Sequence, residues 1–192
     1  MRLFLAVDLD ARVREAVERA TGDIRRRLSG VGRAGRPGWV APENLHVTIR
    51  FIGEVAADRV TRLDATLSPP VPVGHFSLGL GAAGLFPPHG PPRVLWFAIT
   101  AGAEPLSEVF SILEQRVTET GVPPERRPFS PHLTVARFRE AVRDSRAIRE
   151  AAAGVQVDAG PCLVREVTLY QSRLGPSGPS YASRLRIPLV DV

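Results

Sequence analysis

The stretch Asn44-Leu45-His46-Val47-Thr48-Ile49-Arg50-Phe51 is answered later in the chain by Pro131-His132-Leu133-Thr134-Val135-Ala136-Arg137-Phe138. One His-x-Thr carries no information, but two in matching surroundings restrict the chain to a fold that presents two similar strands. In each copy apolar and polar residues alternate with the period of a half-buried strand. Leu45, Val47 and Ile49 therefore share one face, and His46 and Thr48 the other. In the second copy Leu133 and Val135 face a core while His132 and Thr134 point the opposite way. The pattern predicts two imidazoles and two hydroxyls on two similar strands, a set suited to acid-base chemistry.

Around these strands the chain alternates sheet and helix signals. Leu3 to Val7 reads as a first strand. Val13, Val17, Ala20, Ile24 and Leu28 then recur at helical spacing from a candidate N-cap, Asp10, with Gly30 available to end the helix. Arg25-Arg26-Arg27 sits at the end of that helix, where cations complement the dipole, so a solvated helix end is expected rather than an RNA-binding patch. A glycine-rich loop from Gly30 to Gly38, with Arg33 and Arg36, leads to Trp39. A second helix over Val55 to Leu67 is stopped by Pro69-Pro70-Val71-Pro72. A strand follows from His75 to Leu80, and another from Arg93 to Ile99. Between them Gly79-Leu80-Gly81-Ala82-Ala83-Gly84 matches the dinucleotide-binding spelling, but the proline-rich Phe86 to Pro92 behind it cannot open a helix, so that reading fails. The glycines are expected to bulge or turn an edge strand. Pro105 opens a third helix through Leu106, Val109, Phe110, Leu113 and Val117. A fourth spans Asp144 to Ala153. Two last strands, Val164 to Arg173 and Tyr181 to Leu189, flank a hairpin loop at Leu174 to Pro179.

Strand pairs mixed with single helices exclude a doubly wound parallel sheet and predict an α+β fold. The repeated motif adds an internal duplication: two pseudo-symmetric lobes of mainly antiparallel sheet with outer helices, the His-x-Thr strands lining a central groove, within one domain over residues 1–192. A chain of this length suits one domain or two closely packed lobes. All 25 basic residues are Arg, against 20 acidic ones. This is read first as compositional bias and second as bidentate phosphate recognition at a few positions, with Arg50, Arg127 and Arg137 the candidates at the groove. The run Leu3 to Val7 is too short for a membrane span and Asp8 and Asp10 follow it, so a cytoplasmic protein is expected. The lone Cys162 reads as a buried small hydrophobe.

Together these residues resemble the 2H phosphoesterases, and among them the bacterial and archaeal RNA 2′,3′-cyclic phosphodiesterases once named 2′-5′ RNA ligases. The likeness rests on Met1 to Val7, Trp39-Val40, Glu43 to Thr48, Phe51 to Glu54, Phe86-Pro87 and Pro92 to Trp96. It continues through Arg127 to Phe129, Pro131 to Thr134, Ala136-Arg137, Leu169 to Ser172, Gly178-Pro179 and Tyr181. The resemblance implies hydrolysis of a terminal 2′,3′-cyclic phosphate to a 2′-phosphate without metal or other cofactor. It implies action on RNA ends or small cyclic-phosphate nucleotides; a monomer with no membrane partner is expected. It makes His46 the proton donor and His132 the proton acceptor, with Thr48 and Thr134 beside them, and sets Phe51 and Arg137 on either side of the nucleobase. Strict alternation puts Phe51 and Arg137 on the face opposite the histidines. Either a bulge or a strand end turns them back, or they are core and surface residues respectively.

A lone strand histidine is most simply a structural one with a satisfied hydrogen bond, and only the pairing lifts His46 and His132 above that. His75 and His89 lack such context and are left structural or exposed. No His-x-His, His-x-x-x-His or acid-rich cluster marks a metal site. Three functions stay open: the phosphodiesterase, a 2′-5′ RNA ligase running the reverse reaction, and a non-catalytic RNA-end-binding module. Retention of both full motifs counts against the last.

Overall fold

Asp10 opens the first helix two residues after the first strand ends. Its carboxylate accepts from the Val13 N–H at 2.8 Å, which caps α1 (Ala11–Arg27) directly after β1 (Arg2–Asp8). The computed structural model describes residues 1–29, 37–138, 144–175 and 178–191. The expected helix end at Gly30, loop residues Arg33 and Arg36, and Pro176 and Ser177 of the last hairpin lie outside those residues. After α1 come β2 (Gly38–Trp39), a short turn of 3₁₀ helix at Pro42–Asn44, β3 (His46–Glu54) and α2 (Ala57–Leu67). The chain continues through β4 (Val71–Gly74), β5 (Phe76–Phe86), β6 (Val94–Ala101), α3 (Ala103–Glu119) and β7 (His132–Arg137). It ends with α4 (Ser145–Ala152), β8 (Cys162–Val164), β9 (Glu166–Gly175) and β10 (Gly178–Val190).

The strands form one sheet in the order β4-β10-β9-β1-β3-β7-β6-β5-β8, with β2 beside β7. Every named pairing is antiparallel except that of β4 with β10. The architecture is therefore the expected mainly antiparallel α+β. The two motif strands are neighbours at the centre, joined only by the pair Val47↔Leu133. The sheet thus consists of two well-paired halves joined by a single pair between the motif strands.

The chain runs twice through strand, helix, motif strand, helix: β1-α1-β3-α2 and β6-α3-β7-α4. The helices cross over. α3 leaves β6 but packs on β3, β4 and α2, whereas α1 leaves β1 and meets α4, which lies on β5. Their apolar stripes explain the docking. Leu106, Val109, Leu113 and Val117 of α3 are fully buried, worth on the order of 2 kcal/mol each, and Val13, Val17 and Ile24 do the same for α1. No described helix is long and apolar enough to cross a membrane. Cys162 is buried, as expected.

Two expectations need correction. The run Pro69 to Pro72 does follow the end of α2 at Leu67, but Val71–Gly74, where no strand was expected, is a strand paired in parallel with β10. And β5 is longer than predicted and is no edge. β8 pairs its start, while Ala83 donates to the Val155 carbonyl and Val157 to that of Gly81. Its glycines do accompany register shifts against β6, and they also make room. A Cβ at Gly84 would run into the Trp96 ring, and one at Gly79 would meet Thr100 Oγ1 at 2.9 Å.

Candidate active site

Strict alternation fails in both motif strands at the same step, and the failure builds the site. In β3, Leu5 pairs with Arg50 and Ala6 with Thr48, leaving Ile49 without a partner. In β7, Leu95 of β6 pairs with Ala136 and Trp96 with Thr134, leaving Val135 without one. Each is a bulge of one residue. Two successive residues, Ile49-Arg50 and Val135-Ala136, are buried, after which the phase is reversed. Phe51 and Arg137 thereby share the face of His46 and Thr48, and of His132 and Thr134. Alternation alone could not show this, because an inserted residue leaves no mark in a binary pattern.

The two imidazoles are held alike. His46 Nδ1 lies 2.7 Å from the Asn44 carbonyl and His132 Nδ1 2.7 Å from that of Ser130. A carbonyl only accepts, so each Nδ1 carries a hydrogen and each Nε2 is the nitrogen left to work. Thr48 Oγ1 lies 3.1 Å from His46 Nε2, and no matching bond joins Thr134 to His132. Burial is the chief influence on both rings and lowers both below the ordinary histidine range, partly opposed by the backbone carbonyls. Arg137 lowers both further and also lowers Tyr181. Phe51 is 41% exposed and carries Arg2 over its ring at 5.0 Å.

Sequence reasoning missed the walls. Phe4 and Tyr181 pack on His46 at ring distances of 4.9 and 5.4 Å, and Phe86 and Trp96 on His132 at 5.1 and 6.2 Å. Asp8 pairs with His46 across β1 and β3, and its carboxylate accepts from Thr168 at 3.0 Å and Tyr170 at 2.8 Å. The alternation Thr168-x-Tyr170 was readable as one strand face. Its meeting with Asp8, 160 positions away, was not. Asn44 Nδ2 donates to the Pro179 carbonyl at 3.1 Å and so draws the β9–β10 hairpin over His46.

Two groove candidates are displaced. Arg50 is 6% exposed and points away from the groove, because it is the second residue of the bulge. It binds Glu114 and donates to the Pro123 carbonyl at 2.7 Å. Arg127 is exposed and pairs with Glu125, whose carboxyl it holds down to about 2. His75 lies 3.0 Å from Asp191, and His89 is exposed. Among the described residues no three His, Cys, Asp or Glu side chains gather as a metal site would require. A small cavity lined by Thr21, Arg25, Leu45 and Val135 lies behind the sheet, on the face turned away from both histidines.

The site can offer two Nε2 atoms, two hydroxyls, one guanidinium and an exposed ring, which suits a phosphodiester attached to a base. Comparisons with known proteins point the same way. Residues 9–176 match the model of the 2′-5′ RNA ligase superfamily. The RNA 2′,3′-cyclic phosphodiesterase of Archaeoglobus fulgidus is 34% identical over 182 residues, 94% of this chain and 96% of that protein. The protein of the same name from Escherichia coli is 34% identical over 137 residues, 71% of each chain. The crystal structure of E. coli LigT with 3′-AMP superposes with a TM-score of 0.75 at 29% identity, covering 99% of this chain and 98% of that one.

Proposed function

Because the chain belongs to the 2′-5′ RNA ligase superfamily, we propose that it is an RNA 2′,3′-cyclic phosphodiesterase that opens cyclic ends to 2′-phosphomonoesters with its two motif histidines, as one bilobal domain over residues 1–192. The observation that carries this reading is the matched tethering of the two Nδ1 atoms, which leaves two Nε2 atoms on one groove. In the neutral form Nε2 accepts a proton, and in the charged form it donates one.

The reaction then balances without a cofactor. His132 Nε2 takes a proton from water as the water oxygen bonds to phosphorus. The bond from phosphorus to the ribose 3′-oxygen breaks, and His46 Nε2–H protonates that oxygen. The 2′-phosphate remains, and the histidines have exchanged protonation states, which solvent restores. Thr48 and Thr134 donate to non-bridging phosphate oxygens, while Phe51 and Arg137 hold the terminal base between a ring and a guanidinium. The donor set supports chemistry without a metal, since hydroxyls, imidazolium and guanidinium supply the stabilisation that a cation otherwise gives.

The test is incubation with an oligonucleotide ending in a 2′,3′-cyclic phosphate, the product being identified by mass and phosphatase sensitivity. A 2′-phosphomonoester is expected. Joining to a 5′-hydroxyl oligonucleotide as the main product would make the ligase the better reading. Binding without conversion would leave only the RNA-end-binding module.

A further inference from the structure

The two lobes can be compared residue by residue, because their registers coincide. Asp8, Ala6, Leu5 and Phe4 face His46, Thr48, Arg50 and Phe51; Ala98, Trp96, Leu95 and Val94 face His132, Thr134, Ala136 and Arg137. One strand further out, Thr168 and Tyr170 oppose Ala6 and Phe4, while Gly84 and Phe86 oppose Trp96 and Val94. Behind His46, therefore, stand a carboxylate, a hydroxyl and a phenol. At the same places behind His132 stand Ala98, Gly84 and Phe86. The room over Gly84 is filled by Trp96, whose ring leaves no space for even a Cβ there. The motifs are duplicated, but their backing is polar in one lobe and apolar in the other.

We propose that Asp8 is the positioning residue that makes the two histidines unequal: fixed by Tyr170 and Thr168, its carboxylate favours a proton on His46 and leaves His132 as the acceptor. This rests on the reading of the site as a cyclic-phosphate hydrolase. Asp8 does not touch the reacting atoms. It accepts from Tyr170 at 2.8 and 2.9 Å and from Thr168 at 3.0 Å, which anchors the carboxylate beside the ring. The charged and titratable groups around His46 are Asp8 from β1, Arg137 from β7, Tyr170 from β9 and Tyr181 from β10. Burial first, and Asp8 second, push the Tyr170 phenol up to about 12, and burial raises Tyr181, so both are neutral at working pH and Tyr170 donates to Asp8. Arg137 opposes protonation at both histidines alike. Among the described residues Asp8 is then the fixed charge that separates them: it attracts a proton to His46 against that ring's deeper burial, and no acid stands opposite His132.

The test combines proton NMR titration of the two imidazoles in the free protein with the pH profile of kcat/KM. In Asp8→Asn the His46 titration should move to lower pH and that of His132 stay in place. The high-pH limb of the profile, set by the residue that must be protonated, should move down with His46. Above that limb kcat/KM should fall about tenfold for each pH unit by which the limb moves, as the protonated fraction of His46 does. Ala98→Asp supplies the reciprocal case and should raise the His132 titration, whatever the fate of Asp8→Asn. An unmoved His46, equal movement of both rings, or movement of the low-pH limb alone would overturn the proposal. The titrations need no turnover, so a protein that failed to open cyclic phosphates would refute the functional reading while they still decided the role of Asp8.

Discussion

On the groove side, β3 and β7 present the same sequence of groups at the same register: histidine, threonine, then a bulge that returns Phe51 or Arg137. On the other side, the second residue of the bulge is Arg50 in β3 and Ala136 in β7, and both are buried. Ala136 is met by Trp39 of β2 and Leu95 of β6 and needs only to be small. Arg50 is paired with Leu5 of β1 in the same way, but no described strand stands to it as Trp39 stands to Ala136. Its guanidinium reaches Glu114 on α3 and the Pro123 carbonyl, while the other Glu114 oxygen accepts from the Glu125 N–H at 2.6 Å. That network ties the first motif strand to the segment that leads into the second. The groove side repeats histidine and threonine at the same register, and the back diverges because each lobe packs against different helices and loops.

The comparison can be broken most forcefully at the histidines. His46→Ala and His132→Ala should each lose about 10² to 10⁴ in kcat, with unfolding midpoints little changed, since neither ring lies in the apolar core. A variant that keeps most of its turnover would reduce that motif to a structural repeat. The back side is tested by Arg50→Met. It leaves Glu114 without its guanidinium partner and should cost about 3–5 kcal/mol in urea unfolding, a typical cost of removing one member of a buried pair. Arg127→Ala, which breaks an exposed pair, should leave the urea midpoint unchanged within error. Equal effects of the two would show that burial of Arg50 does not matter to the fold.

Smaller effects should separate Phe51 from Arg137. Removing either should weaken binding of the terminal nucleotide by about 1–3 kcal/mol, read as KM, if each stacks on one side of the base. Arg137→Ala should also move both histidine titrations to higher pH, because Arg137 lowers both, whereas Phe51→Ala should leave them in place. A shift confined to one histidine would put the guanidinium beside that ring rather than between the two. Since burial lowers both imidazoles, the kcat/KM bell of the wild-type protein should centre below the unperturbed value of about 6.5, and a bound phosphate anion should displace the kcat bell upward. Coincident bells at or above that value would mean that burial does not govern the free enzyme. Turnover should persist in excess chelator, and abolition with rescue by a divalent ion would show a metal at work.

Most of the secondary structure and the pair of motif strands were legible in the sequence because alternation and helical spacing report burial directly. Asp10, the Val13 to Ile24 stripe and the inward Leu133 and Val135 are such cases. What was not legible depended on partners distant in sequence. Arg50 looked like a groove cation because a bulge is invisible until the neighbouring strand supplies the register. Asp8 looked like the polar end of an apolar strand until β9 brought Tyr170 to it. The GxGxxG spelling misled in the other direction, since glycines that admit Trp96 and Thr100 from the next strand are spelled the same as glycines that admit a phosphate.

The central claim is that two nearly identical motifs do opposite work, and a substrate in which sulfur replaces the 3′-oxygen tests it most directly. A thiolate leaves without protonation, so the variant lacking the acid should regain activity on this substrate while the variant lacking the base should not. The account predicts that His46→Ala is rescued relative to its activity on the natural cyclic phosphate and that His132→Ala stays inactive on both. Rescue of His132→Ala instead, or equal rescue of both, would contradict it.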